Sequence, residues 1–321
     1  MADDIQSVFR TRRDGVLSVD PHGYNFVEYG LFQRKTPDMT EQTNWVKVEC
    51  PGALETREGG ASMQPATGEA TTNSRITYLT ESTPVSMGDW WFDIANSDHF
   101  WIRRRFEVMK KLADPVLRNC GCAGEIGCGN GLLQKDIENH YEKSVTGFEL
   151  NELALEKNIS RSSPLYYYNV HQRNPEFHSK FDLLLLFDVL EHIEDESEFL
   201  QSVGFHLAES GTLLINVPAH SFLRSDYDMA QGHFRRYSIS GLKKVSSRNG
   251  FEVQAFTYWG LPLMPLLLIR KAMNMERSDG KAGFDARGRT MNSLLSLLAG
   301  LEPLPQQWAG TSVMAVLKKQ R

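Results

Sequence analysis

No stretch of this chain reaches the roughly 18 consecutive apolar residues needed to cross a bilayer as a helix. The nearest, Tyr258 to Ile269, is about a dozen residues long and carries Pro262 and Pro265, so it is too short to span. The N-terminal Met-Ala-Asp-Asp-Ile-Gln lacks the basic-then-apolar layout of a secretory leader, so none is expected. Cysteine is scarce: Cys50, Cys120, Cys122 and Cys128 form no Cys-x-x-Cys pair, which argues against a zinc ribbon or a thioredoxin-type site. The last three crowd one strand and turn and read as small buried fillers, which suits a reducing, cytoplasmic compartment. A basic excess is missing too. The 35 Lys and Arg residues face 40 Asp and Glu, a net charge of -5, which argues against a broad phosphate-tracking surface. The densest basic run, Arg103-Arg104-Arg105, lies in a helical pattern and reads first as a solvated face. No internal repeat is apparent.

What is present is ordinary globular material: 321 residues, 41% hydrophobic and 23% charged, enough for a core that needs no covalent or metal staple. Residues 1–90 read as a partly flexible N-terminal extension. Within it, Val16 to Phe32 alternates loosely enough for one or two strands, and Gly52 to Ser74 reads as a linker. Residues 91–321 read as one domain.

That domain opens with a helix over Asp93 to Leu112, which Asp114-Pro115 is expected to break. Short apolar runs then alternate with amphipathic stretches, the signature of a parallel sheet with crossover helices. Strands are expected over Cys120–Ile126, Ser144–Leu150, Leu165–Val170, Phe181–Phe187, Gly211–Val217, Phe251–Tyr258 and Thr311–Lys318. Helices are expected over Leu132–Tyr141, from about Asn151, over Asp195–Ala208 and over Ile239–Arg248. Phe-Asp-Leu-Leu-Leu-Leu-Phe at 181–187 is apolar on both faces, as a central parallel strand must be. Strand propensity is weakest at Cys-Gly-Cys-Ala-Gly, 120–124.

Chemistry collects where these strands end. Gly127, Gly129 and Gly131 fall between the first strand and its helix, where glycine allows a sharp turn and close approach to a ligand. A dinucleotide fingerprint would place its third glycine at position 132, which is Leu132. Glu149, 22 residues after Gly127, ends the second strand, where a carboxylate can accept both ribose hydroxyls. With Asn169, Asp188 and His220 at later strand ends, these residues share the sheet edge at which open α/β sheets bind ligands.

The strings Glu125-Ile-Gly-Cys-Gly-Asn-Gly131, Gly147-Phe-Glu149 and Phe181-Asp-Leu-Leu-Leu-Leu-Phe-Asp188-Val-Leu-Glu191-His192 resemble class I S-adenosylmethionine (SAM)-dependent methyltransferases. The Glu-His pair after the fourth strand narrows the resemblance to the ubiquinone-pathway O-methyltransferase-like branch. Asn216-Val-Pro-Ala-His220, Gly232-His233-Phe-Arg-Arg236-Tyr237-Ser and Phe100-Trp101-Ile-Arg-Arg-Arg105 match it too, so that it covers roughly residues 95–320. One departure is Cys-Ala-Gly in the first strand, where bulky aliphatics are usual. The resemblance implies a doubly wound seven-stranded α/β sheet of order 3-2-1-4-5-7-6, with strand 7 antiparallel. It also implies SAM as cofactor. Glu125 and the Gly127, Gly129, Gly131 turn would cradle its methionine part, Glu149 the ribose, and Leu150, Asn169 and Val170 would flank the adenine. Phe187 and Asp188 would pass near the sulfonium, and Arg105 would reach the SAM carboxylate.

A hydroxyl acceptor needs a base, and neutral imidazole serves near pH 7. His192, His220 and His233 qualify; His233, in the Ser221–Tyr237 insertion over the acceptor side, is preferred over His192. Asp188, Glu191 and His192 look like a metal set, but Asp is short for the first position and no metal is expected. The function expected is O-methylation of a small-molecule, sugar- or lipid-linked hydroxyl, with peripheral membrane contact through the apolar stretch 259–275. Alternatives are a non-catalytic SAM-binding or assembly subunit, a nicotinamide-dependent oxidoreductase, and a nucleic-acid methyltransferase.

Overall fold

The computed structural model describes residues 75–81, 96–272 and 289–320. The strands read in 16–32 and the linker at 52–74 lie outside the described residues.

Eight strands make one sheet. In chain order they are β1 (Ile76–Tyr78), β2 (Ala123–Ile126), β3 (Val145–Glu149), β4 (Leu165–Tyr167), β5 (Phe181–Phe187), β6 (Leu207–Pro218), β7 (Phe251–Trp259) and β8 (Ser312–Lys319). Their spatial order is β1-β4-β3-β2-β5-β6-β8-β7. Only β8 is antiparallel to its neighbours, β6 and β7. Leaving β1 aside, this is the 3-2-1-4-5-7-6 order expected. An eighth strand precedes residue 90: β1 pairs in parallel with β4 and so lengthens the sheet.

β5 shows why the sheet is covered on both sides. Leu184 and Leu186 enter one buried cluster, and Leu183, Leu185 and Phe187 another. These leucines are all fully buried, so the strand has no polar face to offer water. The register with β6 slips between Phe181 and Leu183, which turns Phe181 to the first face beside Leu184. That bulk explains the small residues of β2. A Cβ on Gly124 would lie 2.9 Å from Leu184 Cδ2 and 3.1 Å from the Phe181 ring. Large side chains on β5 thus replace the usual aliphatics of β2, and the core is filled from the other strand. β2 is also shorter than read, since Gly121 and Cys122 form a bend whose N–H groups both donate to Asp182 at 3.0 Å. Cys120 and Cys128 are free and buried. Cys122, also buried, is disulfide-bonded, which departs from the expectation of three reduced fillers.

Helices cover both faces: α1 (Phe100–Asn119), α2 (Leu132–Tyr141), α3 (Glu152–Glu156), α4 (Glu196–His206), α5 (Asp226–Ala230), α6 (Ile239–Arg248), α7 (Met264–Ala272) and α8 (Arg289–Gly300). Asp114-Pro115 does not break α1, which runs through Pro115 to Asn119. Its buried face continues past the proline, with Val108, Met109, Ala113 and Leu117 in one cluster. Asp114 is used instead to accept from Arg118 Nε at 2.8 Å and from Tyr141 Oη at 3.1 Å. Burial of Ala113 and Leu117, one turn apart across the break point, outweighs the backbone bond that proline removes.

Candidate functional site

The chain leaves β2 at Ile126 and turns through Gly127, Gly129 and Gly131, all left-handed, at φ 75°, 53° and 76°. At Gly127 a Cβ would sit 2.5 Å from Val189 Cγ2, so the turn requires glycine both for its φ and for the approach of the β5 loop. Gly127 N and Cys128 N both donate to Phe148 O, at 2.8 and 3.2 Å, locking the turn onto β3. Glu149 at the end of β3 closes it. Its Oε2 accepts from Gly129 N at 2.9 Å, and its Oε1 from Leu150 N and Asn151 N at 2.7 and 2.9 Å.

A cavity of about 250 Å³ opens beside this turn. Arg105, Glu125, Gly127, Gly129, Phe187 and Asp188 form one part of its wall. Gly131, Glu149, Leu150, Asn169 and Val170 are not part of that wall. They lie along the same strand ends, where Asn169 N donates to Thr80 Oγ1 at 2.9 Å and so ties the end of β4 to the segment after β1. Two wall carboxylates have a buried Oε2 with no hydrogen-bond partner, Glu191 and Glu125, the latter 3% exposed and beside the glycine turn. Burial pushes the Glu125 carboxyl up to about 8. An ammonium group facing that oxygen would supply the missing partner, and the methionine part of SAM carries one.

The end of β5 is strained: Asp188 sits at φ 57°. Both its oxygens are taken, Oδ2 by Arg105 Nη1 at 2.6 Å and Oδ1 by Asn216 Nδ2 at 2.7 Å. The Arg105 guanidinium also lies 5.4 Å from the Phe187 ring centre. Arg105 is therefore in the cavity wall and paired with Asp188. Among the described residues the side chains able to share an ion are Glu191, His192 and His233, whose ligand atoms lie within 4.8 Å. Asp188 is not in that group.

The opposite wall comes from the insertion after β6. Phe234 N donates to Glu191 O at 2.8 Å, and Tyr237 N to Pro218 O at 2.8 Å, so the insertion is pinned at β5 and β6. At its centre lies Asp228, fully buried. It accepts from Ser225 N and Oγ, from Arg236 Nε through both oxygens at 2.9 and 3.0 Å, and from His233 Nδ1 at 2.9 Å. Burial alone would raise the Asp228 carboxyl, but the bonds from His233 and Arg236 hold it below the usual carboxylate range. An ionised carboxylate only accepts, so His233 Nδ1 carries the shared proton, and in the neutral form of the ring the lone pair is on Nε2. His192 stands perpendicular to His233, ring centres 4.6 Å apart. Burial and then the neighbouring His233 push His192 down to about 4, so it is neutral at pH 7. His220 stacks on Phe222 and Tyr258 at 5.2 and 4.8 Å and is not in the cavity wall. Sequence reading missed Asp228, although Ser225-x-x-Asp228 is the spacing of a capping box, and one is present here. Tyr227 and Arg270, also in the wall, carried no such signal.

The family model described as a methyltransferase domain matches residues 91–255, just over half of the chain. A tRNA U34 carboxymethyltransferase of Campylobacter concisus is 28% identical over 123 residues, 36% of this chain and 41% of that protein. The chain thus spans about two-fifths of the length of that curated relative. Among solved structures, a SAM-dependent methyltransferase of Archaeoglobus fulgidus aligns over 72% of this chain and 98% of its own, at 12% identity and a TM-score of 0.47. One from Thermotoga maritima aligns over 73% and 94%, at 16% identity and a TM-score of 0.47. The family match covers β2 through most of β7, with the glycine turn, Glu149, Asp188 and the His233 insertion inside it. The chain belongs to the methyltransferase domain family.

Proposed function

We propose that the protein methylates a hydroxyl group of a small-molecule, sugar- or lipid-linked acceptor, with His233 as the base. The observation that carries this reading is the bond from His233 Nδ1 to buried Asp228, in the wall of the cavity that Glu125 and Gly127 also line. SAM when bound supplies an activated methyl group on a sulfonium, so the chain must align the acceptor and take its proton. Glu125 and the Gly127–Gly131 turn hold the methionine part, and Glu149 the ribose. Asp228 fixes the His233 tautomer, leaving Nε2 to receive the hydroxyl proton. Arg236, neutralising Asp228, keeps that pair from being an isolated buried charge. The reading uses no metal: Asp188, the first position of the Glu-His set, is engaged through both oxygens by Arg105 and Asn216.

The test is transfer of labelled methyl from SAM to a panel of phenolic, sugar and prenylated hydroxyl acceptors, with SAM binding measured by calorimetry alongside. Label on a hydroxyl oxygen supports the reading. Tight SAM binding with transfer to no acceptor, or transfer only to nitrogen or to RNA, would contradict it.

A further inference from the structure

The exposed apolar side chains of the described residues are concentrated in the last third of the chain. Among the described residues, every exposed large hydrophobic except Tyr78 and Ile159 falls between residues 222 and 308. On α7, Leu266, Leu268 and Ile269 are 41%, 42% and 54% exposed, while Leu267 and Arg270 of the same helix line the cavity. On and just after α8, Leu294, Leu297 and Leu301 are 50%, 65% and 70% exposed. Both helices meet the turn at Leu261–Leu263, where Leu263 and Leu295 share a buried cluster with Phe100.

The neighbouring structure places these faces around the mouth. Lys271 Nζ donates to the carbonyls of Phe222 and Arg224, at 2.9 and 2.7 Å, joining α7 to the His233 insertion. Asn292 of α8 accepts from Phe100 N at 2.8 Å and donates to Asp98 O at 2.9 Å, beside the wall residues His99 and Trp101. No helix among the described residues is long and apolar enough to cross a membrane. Contact of these two with a bilayer would therefore be interfacial. Their charge points to the partner. The insertion and α7 carry Arg224, Arg235, Arg236, Arg270 and Lys271 against Asp226 and Asp228, in a chain whose net charge is -5. Asp228 and Arg236 pair with each other in the wall and Arg235 pairs with Glu196, which leaves Arg224, Arg270 and Lys271 against Asp226 at the rim. A local cationic rim around exposed aliphatic side chains is complementary to an anionic lipid surface, which offers negative headgroups above an apolar interior.

We propose that α7, α8 and the 221–237 insertion form a docking surface for an anionic membrane, with the cavity mouth facing the bilayer. Docking is independent of which group is methylated. Delivery of a lipid-linked acceptor from the bilayer to the cavity rests on the hydroxyl-methylation reading.

The full chain is tested by flotation with phosphatidylcholine vesicles with and without phosphatidylglycerol. Binding is expected only with the anionic lipid, weakening as salt is raised. Leu268→Glu with Ile269→Glu, both exposed and outside the cavity wall, should lower vesicle binding by at least about tenfold with SAM affinity and thermal midpoint unchanged. Ile159→Glu, an exposed aliphatic elsewhere, should leave vesicle binding intact. A chain that stays with the unbound fraction in anionic vesicles overturns the proposal. So does a dimer in light scattering that the double variant dissociates without any vesicle binding, since a second copy would then cover the face. Vesicle binding without transfer to any hydroxyl would keep the docking surface and remove only the hydroxyl reading.

Discussion

The two sides of the cavity are built by different means. The side proposed for the cofactor rests on backbone: left-handed Gly127 and Gly129 in the wall, with Gly131, two amides donating to Phe148 O, and Glu149 accepting three amides behind it. The acceptor side is side chains: Asp228 gathers Ser225, His233 and Arg236 within an insertion pinned to β5 and β6. A backbone cradle depends on φ and on where strands end, so few substitutions tune it without breaking it. A side-chain network can be retuned residue by residue, and that is where the choice of acceptor is expected to reside.

The sharpest way to break the acceptor side alone is Asp228→Ala. It leaves Arg236, 9% exposed at its side chain, without its carboxylate. A loss of about 3–5 kcal/mol is expected in denaturant unfolding, because a buried charge loses its partner. A loss within experimental error would show that the insertion does not depend on this pair. On the cofactor side, Glu149→Ala should weaken SAM binding by about 1.5–3 kcal/mol in calorimetry, since hydrogen bonds to a charged group are lost. Unchanged affinity in a folded variant would remove Glu149 from the ribose.

A pH series sharpens the same side. Glu125, held up to about 8 by burial, is protonated in the free protein at neutral pH. An ammonium ligand favours the ionised form, so binding below pH 8 releases a proton. SAM affinity should therefore rise with pH, by at most about tenfold per unit, and level off near 8. Glu125→Gln should flatten that rise; a rise that survives in the variant assigns the proton elsewhere. The smallest effect expected is that of chelation. Prolonged EDTA should leave turnover unchanged, whereas activity lost in chelator and restored by Mg²⁺ would place an ion on Glu191, His192 and His233.

The contrast also explains what could be read in the sequence. The glycine turn, Glu149 and the Leu183–Leu186 run are local patterns, tied to strand ends and to burial, and spacing alone exposes them. The small residues of β2 looked like a weakness because their compensation lies on β5, at Phe181 and Leu184, which no local pattern reveals. Pro115 misled for a related reason, since tertiary burial of Leu117 decides the helix and not the local propensity of Asp-Pro. β1 is three residues long, too short for a periodic signal, and its place is set by pairing with β4. His233 was legible as a candidate. Its partner Asp228, five residues earlier, was not, because only the folding of the insertion turns the two toward each other.

In the proposed reading the cavity separates cofactor holding from proton removal, and His233→Ala tells the two apart. The variant should bind SAM as the parent does in calorimetry, and transfer labelled methyl at a rate lowered about 10²- to 10⁴-fold. Near-parental transfer by His233→Ala, with His192→Ala inactive, would move the base to the end of β5 and contradict the account.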